Sequence, residues 1–132
     1  MNVIYLLPSE KKPTGGIKVT LDHSQVINSI NNEFSSTVIF IKKRKTTKWK
    51  NSLNKILKIQ DNNLFGWKLN EISVNKKINK QWFNNKIKIK NDLKFNSKKD
   101  FVILPEIFAH FARDLLIKDK VKYAIFVQNG LA

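Results

Sequence analysis

At 132 residues the chain has room for one modest domain. Its 42% hydrophobic and 11% aromatic content suffices for a packed core and excludes a disordered tail. The absence of cysteine excludes a disulfide framework, a thiol nucleophile and every cysteine-based zinc site, while a net charge of +15 makes anionic partners the first to weigh.

Residues 3–7 (Val-Ile-Tyr-Leu-Leu) form a short apolar run closed by Pro8, the pattern of a strand buried on both faces in a parallel sheet. Met1-Asn2 supplies no basic leader before it, so the start does not read as a secretory signal. No apolar run approaches the ~20 residues that a membrane-spanning helix requires. A loop, residues 9–16, follows and ends in Gly15-Gly16. Ile17, Leu21, Val26, Ile27, Ile30 and Phe34 then recur at helical steps, with Lys18, Asp22, Asn28 and Asn32 on the other side. Residues 36–41 (Ser-Thr-Val-Ile-Phe-Ile) are a second β-branched run, cut off by Lys42-Lys43-Arg44-Lys45. Strand, glycine loop, helix and strand make one βαβ unit.

The middle segment is less patterned. Trp49, Leu53, Ile56 and Leu57 mark one helical face within residues 47–59. Residues 65–69 and Ile87-Lys88-Ile89 alternate like short or edge strands, and Trp82-Phe83 is an aromatic anchor in a polar stretch. All the net charge arises here: residues 42–99 hold eighteen basic and three acidic side chains, whereas the rest of the chain is neutral. Twenty-three of the basic residues are lysine and two, Arg44 and Arg113, are arginine. Sixteen asparagines and sixteen isoleucines accompany them, so A/T-rich codon usage accounts for part of this basicity. A nucleic-acid groove would favour arginine, whose planar fork reads phosphate and guanine by two-point contact.

Order returns at residues 101–104 (Phe-Val-Ile-Leu), a buried-type strand. Pro105 stands where a helix begins. Ile107, Phe108, Phe111, Ala112 and Leu115 form that helix's apolar face, and residues 123–127 (Tyr-Ala-Ile-Phe-Val) form a further apolar strand ending in Gln128-Asn129-Gly130. Alternating strands and helices predict an α/β fold: a Rossmann-like three-layer domain with a mostly parallel sheet. No covering helix follows the last strand, so the domain reads as incomplete at its carboxyl terminus.

In such sheets ligands lie beyond the carboxyl ends of the strands. Three tips qualify: the loop ending in Gly15-Gly16, the Pro105-Glu106 corner, and Gln128-Asn129. The glycine pair precedes a helix whose first amides and dipole suit an anion; the plainer reading is that it merely lets a loop turn into a helix. No G-x-G-x-x-G follows the first strand, no acidic residue ends the second, and no P-loop is present, which argues against a dinucleotide site. His23 and His110 read as helix residues rather than general bases, and no ligand spacing makes them a metal site. Asp114, four residues after His110, suits a contact on the helix surface. Trp49, Trp67 and Trp82 default to core packing, with sugar stacking or anchoring at a membrane interface as the alternatives.

The chain resembles the N-terminal domain of GT-B glycosyltransferases, most closely the family 4-like bacterial enzymes that build polysaccharides. The resemblance rests on Tyr5-Leu6-Leu7-Pro8 leading to Gly15-Gly16-Ile17-Lys18-Val19 and then Val38-Ile39-Phe40. It rests equally on Asp100-Phe101-Val102-Ile103-Leu104-Pro105-Glu106 and on Ile125-Phe126-Val127-Gln128-Asn129. Residues 45–95 are unmatched. The resemblance implies hexosyl transfer from a nucleotide-sugar donor to a polysaccharide, lipopolysaccharide or other glycan or lipid-linked acceptor, without metal or further cofactor. It implies a cytoplasmic protein at the inner face of the membrane, in peripheral contact with anionic lipid. Gly15 and Gly16 would approach the donor diphosphate, and Lys18, Glu106, Gln128 and Asn129 would line the cleft. Many relatives carry a histidine where this chain has Gln128-Asn129. The family also binds its donor mainly through a second, C-terminal domain that residues 1–132 do not contain, so the fragment alone is expected to be inactive. Two other functions compete: a basic nucleic-acid-binding module, and a Rossmann-like domain for another nucleotide. The neutral, strongly patterned ends of the chain disfavour nucleic acid.

Overall fold

The computed structural model describes residues 1–9, 15–30, 33–43, 69–76 and 87–127. The expected helix at 47–59, residues 65–68 of the expected strand, all three tryptophans and the Gln128-Asn129 tip lie outside the described residues; Leu69, expected to end that strand, instead begins a 3-10 helix, Leu69–Glu71.

A five-stranded sheet has the order β3-β2-β1-β4-β5. Its members are β1 (Asn2–Pro8), β2 (Ser35–Lys43), β3 (Ile72–Val74), β4 (Asp100–Pro105) and β5 (Lys122–Phe126). β1 is parallel to both β2 and β4, β4 is parallel to β5, and β3 runs antiparallel along β2. The expected α/β fold with a mostly parallel sheet is therefore present. β1 occupies the centre because its apolar run satisfies both faces. Val3, Tyr5 and Leu7 join Ile17 and Leu21 of helix α1 (Gly15–Ile30), while Ile4 and Leu6 join Phe108, Phe111 and Leu116 on the opposite face. Successive strands are added on opposite sides of β1. Right-handed crossovers must then fall on opposite faces, as the two helical segments do.

Helix α1 corrects the expected face. Val26 and Ile30 are exposed, and Phe34 lies beyond the helix and is exposed too. The buried row is Ile17, Thr20, Leu21 and Ser24, continued by the half-buried Ile27 and Asn28. Asn28, assigned by the sequence pattern to the outer side, in fact clamps the start of β2: its Oδ1 accepts from the Ser36 amide (2.7 Å) and its Nδ2 donates to the Ser36 carbonyl (3.2 Å). Ser24 Oγ and Ser36 Oγ lie 2.7 Å apart, both fully buried. Small polar residues here let helix and sheet approach closely, and Ser24 and Asn28 find their partner, Ser36, across the interface. Hydrophobic periodicity cannot register such a row.

Three further departures have local causes. β2 runs through Lys42 and Lys43 because β3, unanticipated from the sequence, pairs Ser73 and Ile72 with them. On the same edge of β2 the Val38 amide donates to the Lys88 carbonyl and the Lys90 amide to the Val38 carbonyl, so the alternation at 87–89 marks a bridge rather than a full strand. β5 borders the sheet among the described strands and leaves Ala124 and Ile125 exposed, contrary to the expected buried run.

The segment after Pro105 does not form one regular helix. A 3-10 helix spans Glu106–Phe111 and a π-helix Arg113–Ile117. Three residues per turn bring Phe108 and Phe111 into a stack, 5.3 Å between centroids. The wider turn that follows returns Leu116 to the same core, so tight and loose winding together keep Phe108, Phe111, Ala112 and Leu116 buried. The segment ends in a Schellman arrangement, with the Val121 amide donating to the Leu116 carbonyl (2.9 Å) and the Lys120 amide to the Ile117 carbonyl (3.1 Å). Lys120 takes the left-handed position at φ 57°, where a Cβ is unfavourable.

Two outcomes follow from these contacts. Asn28→Ala strips both backbone groups of Ser36 of their partner and should cost about 1–3 kcal/mol in urea denaturation, against under about 0.5 for a neutral surface change. Lys120→Gly removes the Cβ conflict and should raise stability by about 0.5–1 kcal/mol, despite the greater freedom it gives the unfolded chain.

Candidate functional site

Because β1, β2, β4 and β5 are parallel, their carboxyl ends share one edge. The chain departs from β1 toward β2 on one side and resumes at β4 on the other, which makes the β1–β4 boundary the switch point of the sheet. Adjacent strands lie about 4.8 Å apart, so the tips of β1, β4 and β5 fall within about 10 Å of one another.

Helix α1 opens at this edge. Its carboxyl-terminal half is fixed by Asn28 and Ser24 to the amino-terminal start of β2, so its amino end points to the opposite, carboxyl lip. Gly15 and Gly16, expected in the preceding loop, are the first two residues of the helix itself. Ile17 is buried in the cluster that holds Leu7, seating the first turn against the end of β1. Thr20 Oγ1 donates to the Gly16 carbonyl (3.0 Å). The first turn carries no acidic side chain, so nothing within it offsets the positive end of the helix dipole, and Lys18 adds an exposed cation. Glu106 is exposed and begins the 3-10 helix directly after β4. The structure thus brings Gly15, Gly16, Lys18 and Glu106 to one edge. Val127, exposed beyond β5, is the last described residue before Gln128 and Asn129.

Two residues at this lip went unread in the sequence. The Ser9 amide donates to the Ile41 carbonyl (2.7 Å), and Asn75 Nδ2 donates to Ser9 Oγ. Asn75 also donates its amide to the Phe40 carbonyl (2.7 Å). This pair ties the β1 tip across β2 to the chain leaving β3. Pro8-Ser9 hinted at a strand end, but nothing local announces a partner sixty-six positions away.

Of the two histidines, His23 lies beside the β5 tip and His110 does not. His23 is exposed and meets Phe126 edge-on, 5.8 Å between centroids, which docks α1 against the β5 tip. His110 is exposed with its ring 4.2 Å from that of Phe111. Among the described residues no three histidine or carboxylate side chains gather as a metal site would require, and no helix is long and apolar enough to cross a membrane. A cavity of about 640 Å³ lies at the other edge of the sheet, beside Asn2 and Asp100, the first residues of β1 and β4.

Beneath the lip, Tyr5 is 4% exposed on the α1 side of β1, and burial pushes its phenol above the ordinary value of 10.0. Comparison with protein-family models, with curated proteins and with solved structures finds no match.

The Tyr5 phenol sets an alkaline dependence. Its folded-state value is raised, so the stability it lends is fully present below the unfolded value and is lost as pH rises toward the folded one. Tyr5→Phe should therefore lose less stability than the parent chain between about pH 9 and 11 in urea titrations; equal losses would show that Tyr5 ionises normally.

Proposed function

We propose that this chain is the acceptor-side domain of a retaining glycosyltransferase of GT-B architecture, moving a hexosyl group from a nucleotide sugar to a glycan or lipid-linked acceptor. One observation supports the reading: the glycine start of α1 follows β1 at the carboxyl edge of the sheet, the edge that also carries Glu106 after β4. As the bond from sugar to diphosphate breaks, negative charge grows on the leaving phosphate. Amides at Gly15-Gly16 and the ammonium of Lys18 are of the right kind to stabilise that charge, and glycine admits phosphate close to the backbone. Glu106, and Gln128 and Asn129 beyond β5, would face the acceptor side of the cleft. In that architecture most donor contacts belong to a second domain, so this domain's share is modest affinity and correct placement. The basic stretch 42–99 suits an acidic acceptor or an anionic membrane face, where a lysine contributes roughly 1 kcal/mol.

The test is a titration of the chain with uridine, adenosine and guanosine diphosphates, followed by amide shifts. Saturable shifts confined to Gly15, Gly16, Lys18 and Glu106 are expected, with Gly16→Val weakening binding about tenfold or more while the remaining spectrum stays native. Undiminished binding by that variant would sink the proposal. So would tight oligonucleotide binding with a steep salt dependence and no response to the diphosphates, which would assign the chain to nucleic acid.

A further inference from the structure

The cavity at the amino edge is built from residues that the sugar-transfer reading does not use. Its floor is apolar: Ile4, 2% exposed, with the half-buried Ile89 and Phe95. Three lysines, Lys90, Lys94 and Lys99, line it together with one carboxylate, Asp100. That carboxylate is already engaged. Oδ2 accepts from the Asn96 amide (2.6 Å) and Oδ1 from Asn2 Nδ2 (3.2 Å), and the residue is 9% exposed. Lys90 Nζ pairs with Asp92 at 2.8 Å, and Asp92 is held below the usual carboxylate range first by that hydrogen bond and then by the Lys94 amide. Lys94 and Lys99 thus face the cavity while the nearby acids serve other partners.

Local turns put the lysines there. The Lys94 amide donates to Asp92 Oδ1 (3.0 Å), and the Lys98 and Lys99 amides donate to Asn96 Oδ1 (2.9 and 3.2 Å). The turn is anchored to the sheet where the Asn2 amide donates to the Lys99 carbonyl (2.7 Å). The cavity is therefore bordered by a pinned backbone rather than by a loose lysine cloud. Its volume of about 640 Å³ falls within the ordinary range for small-molecule sites.

We propose that this cavity binds a small phosphate monoester carrying an apolar or aromatic body. With Lys90 paired to Asp92, Lys94 and Lys99 against the one lining carboxylate leave an excess of one positive charge, of the sign that attracts a group carrying about −1.5 to −2 at pH 7. The apolar floor receives the body of the ligand, and the lysines at the rim hold its head. This site is at the opposite edge from Gly15-Gly16 and is independent of the sugar-transfer reading.

Phenyl phosphate is the probe, with inorganic phosphate and phenol as the separate halves of its chemistry. Amide shifts on titration should saturate and centre on Thr37, Lys94, Asn96 and Lys99, with phenyl phosphate binding about tenfold or more tightly than either half. A Lys94→Gln/Lys99→Gln chain should lose about tenfold or more in affinity. A Lys42→Gln/Lys43→Gln chain, with the same change in net charge at the far, carboxyl end of β2, should bind as the parent does. Equal binding of inorganic phosphate and phenyl phosphate, equal losses in the two double variants, or shifts centred on Gly15-Gly16 would each overturn the assignment.

Discussion

The parallel pairing of β1 with a neighbour on each side is the constraint from which the remaining architecture follows. A central strand flanked by two parallel partners must be apolar on both faces, and residues 3–7 are. Parallel neighbours also need long crossovers, and right-handedness sends those crossovers to opposite faces when the partners lie on opposite sides. The layering, the two core clusters and the common carboxyl lip are consequences of that one arrangement.

Burial supplies the driving force and polar contacts supply the register. A buried Phe such as Phe108 or Phe40 contributes about 1.5–3 kcal/mol, whereas a net hydrogen bond adds about 0.5–1.5 kcal/mol. The Ser24–Ser36 and Asn28–Ser36 contacts are therefore minor in total energy. Their value is positional: a one-residue slip of β2 would turn Phe40 away from α1 and leave the buried Ser36 and Ser24 groups without partners. Apolar strands permit many registers, and these side chains select one.

This division explains what could be read from residue order. β1, β2 and β4 were legible because strands buried on both faces leave continuous apolar runs. The glycine pair was legible as the end of the loop before a helix, which put Gly15, Gly16 and Glu106 on a common edge, but not as the helix's own first two residues. Elements fixed by remote partners were not. β3 is three residues long and exists through its pairing with β2. Asn75 finds Ser9 only after the fold has formed. The inward row of α1 was missed because Thr20, Ser24 and Asn28 pack as core residues while counting as polar. The 3-10 to π change after Pro105 answers the need to bury Phe108, Phe111 and Leu116 together, a requirement of the opposing sheet rather than of local propensity.

The two edges of the sheet differ in how they present positive charge, and the difference bears on how lysine abundance is interpreted. At the carboxyl lip it comes from a helix terminus, a property of the backbone that codon usage cannot create. At the amino edge it comes from lysines, the residue type that composition inflates, so their number carries little information. Position carries more. Background lysines should sit on outward faces with acids free to neutralise them. Lys94 and Lys99 are exposed too, but they border an apolar floor on a turn pinned by Asn96 and Asn2, beside a carboxylate whose two oxygens accept from protein donors. A pinned backbone lowers the ordering cost of binding, and a pre-satisfied carboxylate does not compete for the cations. Codon bias acts on composition in bulk, whereas that placement requires Asn2, Asn96 and Asp100 to be where they are, at specific positions in two separate parts of the chain.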